Sequence, residues 1–149
     1  MALRLLPDVE ALTIAYLRGQ TAITTLVGTR VYTRLPKTPI WPLITVAIVA
    51  GTERIADHLD EVVIQIDAWG FIDTDPGVPA NTDHAIQAHL VARTARAVLL
   101  LAPLVAHSRG VVSHVRTIRP AQPLPDTTYS PARPRYSLDM AVTVHPLPL

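Results

Sequence analysis

The chain has 149 residues, 49% of them hydrophobic and 17% charged, with a formal net charge of +1, six histidines and no cysteine. That length forms one domain with a core large enough to need neither metal nor disulfide, and the missing thiols exclude disulfide staples and thiolate metal sites. The longest nearly unbroken apolar run, Ala97 to Ala106, contains Pro103 and falls far short of the roughly 20 residues of a membrane span. Residues Met1 to Pro7 lack a signal-peptide apolar region. The expectation is a soluble, unprocessed protein with no membrane partner. Its mean hydropathy of +0.29 is high for a monomer, so some apolar surface is expected to be buried against other chains. Charge is unevenly spread: residues 1–52 carry +3, residues 53–83 carry −7 and residues 84–149 carry +5. An acidic middle joined to basic ends suits a head-to-tail oligomer, and equally describes solvated loop charges.

In chain order, Pro7 suits the first turn of a helix, with Asp8 and Glu10 complementing its positive end and Gly19 stopping it. Thr21 is placed to cap a short helix from Ala22 to Val27, broken by Gly28. Thr29 to Thr33 reads as extended, and the three prolines between Leu35 and Pro42 forbid helix. Leu43 to Ala50 is rich in β-branched residues and reads as a strand buried on both faces. Glu61 to Trp69 alternates, with Val62, Ile64, Ile66 and Ala68 on one side and Val63, Gln65, Asp67 and Trp69 on the other, so one face must tolerate polar contacts. The ten residues between, Gly51 to Asp60, exceed a tight turn and predict a long hairpin with a protruding tip.

Gly70 to Ala80 is a loop by composition. Asn81 or Thr82 is then expected to cap the longest helix, which runs to about Leu101 before Pro103. Ile86, Leu90, Ala97, Val98 and Leu101, with Ala85 and Ala92 beside them, form its expected buried stripe, leaving Arg93 and Arg96 to solvent. Val111 to Ile118 and Arg135 to Val144 read as strands, the second with Tyr136, Leu138, Met140, Val142 and Val144 facing one way. Between them, Arg119 to Pro134 holds five prolines and no apolar period; it is either a disordered flap or an arm that docks on a neighbour. These elements predict a single α+β domain over residues 1–149, with an antiparallel or mixed sheet of about four to five strands. The long helix and a shorter N-terminal helix pack on one face.

Chemistry is sparse. His84 and His89 are five apart, whereas helical ligand pairs want a spacing of four, and neither a nucleophile elbow nor a phosphate-binding glycine loop occurs. No catalytic residue, cofactor or metal site is expected. Asp67 invites an acid–base reading, but its place on an alternating strand fits a structural carboxylate paired with an arginine. Arginine outnumbers lysine twelve to one, and Arg116, Arg119, Arg133 and Arg135 bracket the proline-rich segment. The forked guanidinium suits carboxylates across an interface, while loose contact with DNA phosphates remains open.

The runs Leu26-Val-Gly-Thr-Arg-Val-Tyr32, Leu35-Pro36, Pro42-Leu-Ile-Thr-Val46, Val63-Ile-Gln-Ile-Asp-Ala-Trp69 and Arg135-Tyr-Ser-Leu-Asp-Met-Ala-Val-Thr-Val144, in this order around a long helix, resemble the tail terminator (tail completion) proteins of long-tailed double-stranded DNA phages. The resemblance implies a small α+β virion protein that forms a ring, usually a hexamer, on the head-proximal end of the tail tube. It implies tube protein and head connector or head-closure protein as partners, DNA passing through the lumen, and no catalytic motif. The segment Arg119 to Pro134 is longer than a minimal member needs. Together these point to the tip residues Glu53, Arg54, Asp57 and Asp60 and the arginines Arg116, Arg119, Arg133 and Arg135 as interaction residues, with Arg30 and Tyr32 as a lesser pair. The alternatives are another neck component, a head-closure or adaptor protein, and a small α+β hydrolase or transferase built around Asp67 and the histidines.

Overall fold

The structure, a computed structural model, describes residues 5–55 and 58–147. Helix α1 (Val9–Arg18) begins at Asp8 rather than at Pro7, because the Asp8 carboxylate accepts a hydrogen bond from the Ala11 N–H at 3.1 Å. Such a cap satisfies one of the unpaired N–H groups at a helix start. Helix α2 (Thr21–Val27) already includes Thr21 and ends at Gly28, whose φ of +60° favours glycine.

Strand β1 (Val31–Tyr32) runs parallel to the start of β2 (Leu43–Ile55). Strands β2, β3 (Leu59–Trp69), β5 (Arg135–His145) and β4 (Val111–Pro123) pair antiparallel, giving the spatial order β1-β2-β3-β5-β4. Helix α3 (His84–Leu99) carries the chain from β3 to the far edge, and β5 returns into the gap. The class is α+β with a five-stranded mixed sheet, as expected. The period-two pattern places Ile64, Ile66 and Ala68 of β3, and Leu138, Met140, Val142 and Val144 of β5, in the core beneath the helices. They meet Leu12, Leu17, Ile23, Val27 and Val91 there, and each such side chain contributes about 1.5–3 kcal/mol on burial. A smaller cluster of Trp41, Leu43, Trp69 and Phe71 closes one end of the opposite face, where the Trp69 indole N–H donates to Thr45 Oγ1 at 3.1 Å.

Three expectations change. Strand β2 is buried only from Leu43 to Val46; Ile48 and Val49 are half exposed, because the strand runs on past the helices to form the tip. The tip itself is strand over most of Gly51 to Asp60, paired as Gly51 with Val62, Thr52 with Glu61 and Glu53 with Asp60.

Helix α3 is rotated from the expected stripe. Asp83 caps it, accepting from the Ala85 and Ile86 N–H groups, and its buried side is Ala88, Val91, Ala92, Ala95 and Leu99. Ile86, Leu90, Ala97 and Leu101 face outward, with Ile86 69% exposed. Close approach decides this: a Cβ on Gly70 would meet the His84 carbonyl at 3.0 Å and the Ala88 Cβ at 3.1 Å. Leucine or isoleucine on that side would hold the helix off the sheet. By length and composition alone the span His84–Leu104 could cross a membrane, yet its small-residue side is packed on the sheet.

The proline-rich segment is folded on its own subunit. Strand β4 continues to Pro123, with register shifts after Thr117 and Arg119, and its position at the sheet edge tolerates Pro120 and Pro123. Beyond it Asp126 and Arg133 exchange two backbone hydrogen bonds of 2.9 Å, and Tyr129 stands edge-on to Trp41 at 5.8 Å. These contacts hold the segment against its own subunit.

Candidate functional site

The helix-free face of the sheet collects the polar partners of the alternating strands. Its registers align Thr52, Glu61, Thr143 and His114 in one row, and Ala47, Gln65, Asp139 and Arg119 in another. Glu61 accepts hydrogen bonds from Arg54 at 2.9 Å and Arg116 at 3.2 Å. These bonds, that from Arg54 foremost, hold its carboxyl below the usual glutamate range. Arg119 forks onto Asp139 at 3.0 and 3.3 Å and also donates to the Ser137 carbonyl and hydroxyl. Arg54, Arg116 and Arg119 are therefore brought onto one surface, each engaged by a carboxylate of its own chain.

Asp67 lies on the same face but takes two bonds from the Gln65 amide, at 3.1 and 3.2 Å, instead of the expected arginine. Two surface grooves, of about 820 and 330 Å³, are both lined without it. Among the described residues no group of three or more histidine or acidic side chains is arranged to hold a metal. His84 bonds to Asp73 at 2.7 Å and His89 stacks on Tyr136 at 4.5 Å.

Arg133, one of the expected interaction residues, is buried within its own subunit. It is 1% exposed, its guanidinium carbon 3.7 Å from the Trp41 ring centre and 4.3 Å from that of Tyr129. It donates to Asp75 at 2.7 and 2.9 Å and to the Gly70 carbonyl at 2.9 Å. A guanidinium so enclosed fastens its own subunit. The sequence carried a signal for this that turn propensity masked: Asp75 reads only as a loop former until Arg133 is placed against it.

Arg135 lies over the Trp69 ring at 4.7 Å and donates from Nε to the Leu124 carbonyl at 2.8 Å. Arg30 likewise ties its loop down, donating to the Pro42 carbonyl at 2.8 Å. Tyr32 is half-buried under Arg18, 5.9 Å from its ring centre. Glu53 and Asp60 sit directly opposite one another near the hairpin end, and Asp57 lies outside the described residues.

The surface thus combines a sheet with a self-neutralised polar face, an apolar outer helix face and a strand-built tip. The family model for Tail completion protein gp17 matches residues 11–130. The chain belongs to that family. As a tail completion protein it is a structural component of a phage tail. Among solved structures, a chain from the virion of a native gene transfer agent (GTA) particle has the same fold, with a TM-score of 0.56 and 19% identity over 92% of this chain and 94% of that one. No curated protein matches the sequence.

Proposed function

We propose that this protein forms a homo-oligomeric ring, a hexamer in the simplest case, at the head-proximal end of the tail tube. There it stops tube polymerisation and joins the tail to the head connector or head-closure protein, with DNA passing through its lumen. Its place in the particle is the neck, and it assembles in the host cytoplasm. Membership of the tail completion family over residues 11–130 carries this reading. The virion origin of the structurally similar gene transfer agent chain supports it, since that chain too is built into a phage-like particle. The reading requires no turnover: Asp67 is bonded to an amide and lines neither groove. A closed ring needs two different patches on each subunit, and the tip and the outer face of α3 supply unlike surfaces.

Electron microscopy of particles made without this gene tests the proposal. Unattached tails of uncontrolled, often excessive length are expected. Tails of normal length beside separate heads would move the protein to another neck position, and normal infectious particles would overturn a structural role in the tail.

A further inference from the structure

Resting on the ring reading above, we infer that the outward face of α3 is the seat for the hairpin tip of a second copy of this chain. The outward face presents Ile86, Leu90, Ala97, Leu101 and Leu104 along one side of α3 and the turn that follows it, and Leu104 is 79% exposed. Arg93 lies in the middle of that stripe at helical spacing, and among the described residues no hydrogen bond or ion pair engages it. The other exposed arginine of the helix, Arg96, is held by Thr117 Oγ1 at 2.9 Å. The helix His84–Leu99 contains no acidic residue. It therefore offers an apolar strip with one uncommitted cation.

The hairpin tip has the converse character. Glu53 and Asp60 are direct cross-strand neighbours, an arrangement of like charges that destabilises a hairpin unless a cation intervenes. Among the described residues neither has a cationic partner; the nearby Arg54 is spent on Glu61. Beside them Ile55 is 58% exposed. An acidic pair flanked by an apolar side chain complements an arginine flanked by leucine and isoleucine in both charge and apolar character. Helix α3 packs on β3, β4 and β5 of its own sheet through its opposite side. Its outward face is thus left for the tip of the next copy, a head-to-tail contact of the kind that closes a ring.

Charge exchange tests this. The wild-type chain, the single variant Arg93→Glu, the tip variant Glu53→Arg with Asp60→Arg, and their combination are purified and their mass in solution is followed by light scattering against concentration, with circular dichroism as the folding control. Both one-sided variants are expected to weaken self-association by about 30-fold or more, and the combination to recover most of it. Glu53 and Arg93 are exposed and Asp60 is half-buried, and an unchanged circular dichroism spectrum and thermal midpoint are expected of each variant. Undiminished association of Arg93→Glu, or losses that the combination fails to recover, would overturn the contact while leaving the ring standing. If Arg34→Glu, in the groove beside α1, weakens association and Arg93→Glu does not, the tip seats in that groove and the α3 contact is overturned. A wild-type chain that stays monomeric alone and on purified tails would overturn the ring reading, and this contact with it.

Discussion

The guanidinium of Arg133 and the carboxylate of Asp75 meet in two hydrogen bonds, 2.7 and 2.9 Å long, with the rings of Trp41 and Tyr129 close against the guanidinium. This pair pins the loop after β3 to the segment before β5, the two chain stretches that flank the central strands. The side chains are 2% and 9% exposed, so removing one leaves the other a buried, unpaired charge. Arg133→Ala is expected to cost about 3–5 kcal/mol of unfolding free energy, measured by urea denaturation. A loss below about 1 kcal/mol, the scale of an exposed ion pair, would show the pair to be ornamental to stability.

The same pair fixes a pH dependence. Burial pushes the Asp75 carboxyl up, but the hydrogen bonds from Arg133 and the Ile72 N–H outweigh it and hold the group below the ordinary aspartate range. The unfolded chain then binds more protons than the folded one in acid. The stabilisation is fully present above the ordinary aspartate value of about 4 and is lost as pH falls through it toward the lower folded value. Asp126, lowered chiefly by the Thr128 hydroxyl, acts in the same direction. Asp75→Asn is therefore expected to be less stable near neutrality and to lose less stability on acidification. Denaturation curves between about pH 6 and pH 3 that keep the wild-type slope would contradict the linkage.

Helix α3 provides a sharp comparison of its two sides. Ala92 is fully buried against the sheet, so Ala92→Leu is expected to destabilise by about 1–3 kcal/mol through overpacking. Ile86→Ser on the outward side is expected to change stability by no more than about 0.5 kcal/mol while reducing self-association. Thermal and urea midpoints for both variants, beside light scattering, check this. The reverse ranking would mean that the apolar stripe, not the alanine side, faces the core.

That rotation also shows where sequence reasoning runs out. The strands were legible because a period of two is absolute: once Ile64 and Ile66 face inward, Gln65 and Asp67 must face outward, and the polar face follows. The helix register was not, because Ile86, Leu90 and Leu101 look like core by hydropathy, and the preference for Ala88, Ala92 and Ala95 depends on how near Gly70 lies. Strand β2 misled for a related reason: apolar Ile48 and Val49 belong to a surface that faces outward on the isolated subunit. The placement of the arginines around the proline-rich segment was not legible. Arg116 and Arg119, three apart, would fall on opposite faces by strict alternation and share the polar face only because β4 shifts register between Thr117 and Arg119, whereas the burial of Arg133 depends on Asp75 and Trp41, residues distant in sequence.

The proline-rich segment separates folding from assembly. From its composition, excising Ala121 to Ser130 should impair assembly and leave a folded monomer. The structure changes the second half of that expectation. The excision removes the Gln122 and Pro123 pairings with β5 and the Tyr129 ring that stands against Arg133 and Trp41, so Arg133 loses one wall of its enclosure. A weakened or lost cooperative unfolding transition is expected, measured by circular dichroism on heating. Leu124, 48% exposed at the turn away from β4, isolates the docking question. Leu124→Ser is expected to leave the midpoint within the small range of surface substitutions, about 0.5 kcal/mol, and to lower self-association or tail joining if the segment docks. Normal assembly by that variant, together with an unchanged midpoint, would reduce the segment to an intrasubunit brace whose work ends at Trp41.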